Sequence, residues 1–253
     1  MSFMEKYTYD EKRAVIAFLN MVITADLEVQ IEELNLIWML ARCINIDLKE
    51  IEKMTEYEFK SIIIQLSDEK LIEVMRMSLT LMSVDKKHQD KERKAMLSIF
   101  DLSQEDEMEY KRFYESMNKM TDLTPLDQVV LIVLAHYMAA VDGIVDQSEV
   151  AMLIVLCDMI GVNIKEVPLY KIPQDALYRA VFSMSPYAVG RLVEELLLIS
   201  IADLKITEQE YEFVSPILNH FNLNFEEVLQ KANNRLNDHI EYYELFQTES
   251  AVN

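Results

Sequence analysis

Apolar residues recur along this chain at the three-and-four spacing of a single helical face, and short acidic turns interrupt the periodic stretches. The interruptions follow one layout. An apolar helix ends at an Asp, a capping residue follows about four positions later, and a Glu lies seven positions after the Asp. The Asp stands at Asp26, Asp85, Asp142 and Asp203, at spacings of 59, 57 and 61 residues, and the Glu at Glu33, Glu92, Glu149 and Glu210. A fixed period of this kind marks repeats of one supersecondary unit, here helix, acidic turn, helix.

Each position in the unit has a physical task. Gln30, Gln89, Asp146 and Thr207 are the expected N-caps of the second helices, and the Glu falls at N3. There its carboxylate can reach back to the N-cap amide while the cap oxygen serves the N3 amide. Thr207 with Glu210 has the full capping-box form, and Asp146 with Glu149 is a close variant. Val29, Val145 and Ile206 precede the caps, where an apolar side chain staples back onto the first turn. The second helix should run about fourteen residues to Asn45, Gly161 and Asn222, residue types that accept a left-handed backbone and are each followed by an apolar residue. The second unit lacks this stop, so its helix should be shorter or differently capped.

A helix–turn–helix unit cannot bury its apolar face alone, so the units are expected to pair as one with two and three with four. The polar stretch ending in Thr124-Pro125 suggests a boundary there, giving domains at 1–120 and 125–246. Further helices are expected at 51–66, 105–120, 173–183 and 226–246. The longest apolar run, 129–141 broken by His136, is too short to span a bilayer and reads as a helix buried on most sides, with His136 a satisfied core residue.

Composition sharpens the fold class. Three glycines and five prolines in 253 residues leave too few turn formers for a strand-rich chain, and the class is all-α. The charge is −20, from 24 basic and 44 acidic side chains, which excludes direct nucleic-acid binding and disfavours an anionic membrane surface. Cys43 and Cys157 sit singly in apolar runs, and the N-terminal residues lack the apolar core of a secretory signal, so a reducing, cytoplasmic setting is expected. No phosphate-binding loop, metalloprotease motif or nucleophile motif is present, and the chain is not expected to be an enzyme.

The Asp–Glu pairs offer a second, chemical reading. If a pseudo-two-fold brings Asp142 and Glu149 near Asp203 and Glu210, with Asp146 and Glu208 at the periphery, the oxygens suit a hard divalent cation, calcium or magnesium. Asp26, Glu33, Asp85 and Glu92 are the corresponding front-half candidates. His88 with Asp85 and Asp90 is a weaker transition-metal candidate, inside the one basic cluster of an acidic chain. Capping explains the same spacing with no ion at all.

The string Ala139-Ala140-Val141-Asp142-Gly143-Ile144-Val145-Asp146-Gln147-Ser148-Glu149, closed by Ile160-Gly161-Val162, resembles the signature of the TerB-like family, named for the tellurite-resistance protein TerB. The resemblance implies two tandem pseudo-symmetric helical bundles in a bacterial cytoplasmic protein of stress response, chemical resistance or phage defence. It also implies a binding or scaffold module with a protein partner, and metal binding through clustered carboxylates. The alternatives are a metal-dependent enzyme built on the paired carboxylates and an acidic decoy that mimics nucleic acid.

Overall fold

The computed structural model describes residues 4–25, 27–84, 89–99, 115–116, 119, 122–143, 146–162, 172–203 and 205–236. The fold is all-α. The helices are α1 (Tyr9–Thr24), α2 (Ile31–Cys43), α3 (Leu48–Ile51), α4 (Glu56–Ile63), α5 (Asp68–Val84), α6 (Gln89–Ile99), α7 (Pro125–Met138), α8 (Gln147–Ile160), α9 (Gln174–Phe182), α10 (Pro186–Ser200) and α11 (Glu208–Phe221). A 3₁₀ turn, Ile201–Asp203, extends α10, and residues 225–236 are helical. The four units are α1–α2, α5–α6, α7–α8 and α10–α11.

The helix ends follow from the residues placed there. Asn45, Gly161 and Asn222 take positive φ angles of 56°, 81° and 51°. The next amide, of Ile46, Val162 or Leu223, then folds back onto the carbonyl of Ala41, Cys157 or Leu218 at 2.9, 2.8 and 2.9 Å. This satisfies carbonyls that the helix end would otherwise orphan. The helix of the second unit is described from Gln89 to Ile99, with the residues on both sides outside the described ones, and Gln89, the expected cap, is itself helical.

The helix expected at 51–66 is divided into α3 and α4. Thr55 caps α4, with its Oγ1 accepting from the Glu58 N–H and Glu58 accepting from the Thr55 N–H at 2.7 Å, so a fresh capping box restarts the helix. The element expected at 173–183 is α9, with Pro173 as its N-cap. That at 226–246 is helical to residue 236, and most of that at 105–120 lies outside the described residues.

Packing follows the expected pairing and then goes beyond it. Helix α1 packs on α2, α5 and α6, while α10 packs on α7, α8 and α11. The two halves also pack broadly on each other, α2 and α5 against α7, and α5 against α9. One apolar core runs from Met4 to Ala232 and includes Leu126, Val129 and Val130. The polar stretch before Pro125 is flanked in sequence on both sides by residues of this core. Its polarity reflects the start of α7, where Thr124 and Asp127 form a buried capping box (Thr124 N–H to Asp127 Oδ2, 2.9 Å; Asp127 N–H to Thr124 Oγ1, 3.1 Å).

The first turn carries a strained residue. Leu27 holds φ of +69° and is 92 % exposed, at the position where the third unit has Gly143 at +81°. A Cβ added to Gly143 would meet nothing within 4 Å, so this position demands backbone conformation and not space. A left-handed leucine carries a steric cost that glycine does not. Leu27→Gly should therefore stabilise the protein by about 0.5–1 kcal/mol, the relief of strain outweighing the added chain entropy. Chemical denaturation would read this as a higher midpoint at unchanged slope.

Candidate functional site

The four repeat glutamates are all buried. Glu33, Glu92, Glu149 and Glu210 are 0, 2, 6 and 3 % exposed. Three of them are seen gripping their own helix starts. Glu33 Oε2 accepts from the Gln30 N–H at 3.1 Å, Glu149 Oε2 from the Asp146 N–H at 3.0 Å, and Glu210 Oε2 from the Thr207 N–H at 2.6 Å. Glu92 lies inside α6, while Asp26, Asp85 and His88 lie outside the described residues and nothing is described of the Asp90 side chain. Val29 and Ile206 pack on the core from the staple positions.

The aspartates act differently from one another. Asp146 Oδ1 accepts from the Ser148 N–H at 2.8 Å and from its hydroxyl, and this holds the exposed carboxyl below its ordinary range. Asp203 Oδ1 accepts from the Lys205 N–H at 2.9 Å and closes the fourth turn. Asp142 is half-buried, and Glu208 is exposed in the first turn of α11.

The third and fourth turns meet, because α8 packs against both α10 and the 3₁₀ turn. The consequence is electrostatic. Glu149 is pushed up to about 7, first by burial, which disfavours the charged form, and then by the carboxylates of Glu210, Asp142 and Asp203. The Asp146 N–H works against that rise without cancelling it. No Lys or Arg forms an ion pair with Glu149 or Glu210 among the described residues.

Oxygen donors of this kind suit calcium or magnesium, but the arrangement does not make a cage for them. Among the described residues no three His, Cys, Asp or Glu side chains stand at metal-ligating spacing. One oxygen of Glu149 and one of Glu210 are already committed to backbone amides. Asp146 and Glu208 do not figure among the carboxylates acting on Glu149.

His136 is half-buried, with Nδ1 2.8 Å from the Ile132 carbonyl, and burial lowers its pKa; it is a satisfied helix residue, as expected. The sequence reading passed over the buried charges Arg76, Asp127, Glu73 and Glu195. A signal existed for Asp127, since Thr124-Pro125-Leu126-Asp127 has the spacing of a capping box. No local pattern marks Arg76, whose partners are distant in sequence.

The site yields a pH prediction. The proton on Glu149 is held to about 7 in the folded protein, against an ordinary value of 4.5. Its contribution to stability is therefore complete below the unfolded-state pKa and is lost as pH rises through the folded one. Between about pH 5 and about pH 8 the melting temperature of the parent should fall relative to Glu149→Gln, which keeps an acceptor for the Asp146 amide but cannot titrate. Parallel pH profiles of the two proteins would show that Glu149 does not titrate there.

No helix among the described residues is long and apolar enough to cross a membrane. Residues 73–171, from α5 through α8, match the model of the family described as Tellurite resistance protein TerB. The match takes in the second and third turns and runs across the polar stretch before Pro125, so it coincides with neither expected domain. Comparison with curated proteins and with solved structures gives no match. Over residues 73–171 the chain is thus similar to that family.

Proposed function

We propose that this chain is a non-catalytic binding or scaffold protein of bacterial stress or tellurite resistance, acting in the cytoplasm, with the meeting third and fourth turns as its docking element. The halves 1–120 and 125–246 are read as a duplication that shares one core. The observation that carries the docking reading is the coupling of Glu149 to Glu210, Asp142 and Asp203. Carboxylates confined by rigid helix starts store repulsion, and any positive partner that relieves it gains binding energy at that place. Asp146, Asp203 and Glu208, on the same two turns, are exposed to a basic partner surface.

The decoy reading fits less well, because a phosphate mimic needs its charges on the surface and the N3 glutamates are inside. The divalent-cation reading rests on the same carboxylates, each with one oxygen already accepting from a backbone amide. The enzyme reading has no motif behind it.

A short oligolysine peptide is a suitable probe. Its affinity should fall about tenfold, or about 1.4 kcal/mol, in Asp203→Asn/Glu208→Gln. It should be unchanged in Asp10→Asn/Glu56→Gln, which removes the same charge from the first turns of α1 and α4. Equal losses in both variants would reduce the effect to net charge and defeat the docking reading.

Melting curves with millimolar calcium or magnesium decide the cation reading. An ion bound only by the folded state at a hundred times its Kd stabilises by about 2.7 kcal/mol. A rise that disappears in Glu149→Gln/Glu210→Gln establishes the ion as the ligand, and an unmoved parent curve removes it.

A further inference from the structure

The apolar faces joining the two halves do not by themselves fix how the halves sit along one another. The units are diverged copies with similar helical periodicity, so an interface of α2 and α5 on α7, and of α5 on α9, would tolerate sliding by one helical turn, about 5.4 Å, at modest apolar cost. What such a slip would break is polar, buried and shared between halves.

Arg76 of α5 is 2 % exposed. Its Nη2 lies 3.3 Å from Asp127 Oδ2 at the start of α7, and its Nη1 donates to Ser185 Oγ, at 3.3 Å, at the start of α10. Asp127 also accepts from Thr80 Oγ1, one turn along α5, at 3.2 Å. Ser185 Oγ in turn accepts from the Ala188 N–H at 3.2 Å as the α10 N-cap. A second tie holds the C-terminal end of α5, where Arg179 of α9 donates from Nε and Nη2 to the Val84 carbonyl at 2.9 and 2.6 Å. Only the last carbonyls of a helix are open to such a donor, so this tie too is lost on a slip. The two ties sit eight residues apart on α5, about 12 Å of helix.

We propose that the Arg76–Asp127–Ser185 network is a registry latch, which selects one docking of the α1–α6 half on the α7–α11 half. Replacing a buried ion pair with apolar residues often leaves stability intact, whereas uniqueness of packing is the property it can specify. In any other register the guanidinium and the carboxylate would be buried without each other.

The test uses the full chain and two variants. Arg76→Met/Asp127→Asn, which removes the ion pair and keeps an acceptor for the Thr124 amide, should fold with an equilibrium constant within about tenfold of the parent. Its amide NMR spectrum should show two or more sets of peaks for α7 and α9 where the parent shows one. A single set superposable on that of the parent would overturn the proposal. If the double variant fails to fold, Arg76→Lys decides, since it keeps the charge beside Asp127 and lacks the fork that spans to Ser185. Doubled or broadened α7 and α9 peaks in Arg76→Lys support the latch, and one parent-like set overturns it.

Discussion

A helix that begins inside a protein must bring partners for its own first amides, because water cannot supply them there. In this chain the solution is a buried glutamate at N3, seen at Glu33, Glu149 and Glu210. It fixes the rest of the turn. The N-cap must take an extended backbone, as Gln30, Asp146 and Thr207 do, and the residue after the Asp must accept a positive φ, easily at Gly143 and with strain at Leu27. When two such turns meet, the capping carboxylates are brought into each other's field. The raised pKa of Glu149 is the electrostatic outcome of that local backbone requirement.

Much of this was legible in the sequence because the signals are local. The pairs Asp146/Glu149 and Thr207/Glu210 announce helix starts three residues apart, and Asn45, Gly161 and Asn222 announce ends, which the left-handed angles bear out. Thr55 and Glu58 carry the same signal and were overlooked within a longer apolar pattern, so one expected helix became α3 and α4. The latch was not legible. Arg76 finds Ser185 across 109 residues, and nothing near either one predicts the meeting. Nor does polarity mark exposure at Thr124 and Asp127, which are fully buried, each satisfied by the other.

The carboxylate cluster was legible as a possibility and not as a geometry. Periodicity places Asp142, Glu149, Asp203 and Glu210 on equivalent turns, and pseudo-symmetry brings the turns together. Whether the oxygens then converge on an ion depends on which amides they already serve. Glu149 and Glu210 each commit one oxygen to the Asp146 and Thr207 amides, so the same residues that suggested a hard cation are the ones that hold the helices' first turns. The match over residues 73–171 crosses the midpoint of the chain, in keeping with a core that does the same.

The central claim is that burial and three neighbouring carboxylates hold Glu149 protonated up to neutral pH. A carboxyl-carbon NMR titration of the selectively labelled chain, with the Glu149 signal assigned by its absence in Glu149→Gln, measures this directly. The account predicts a midpoint near about 7. A midpoint at the ordinary glutamate value of 4.5 would contradict it.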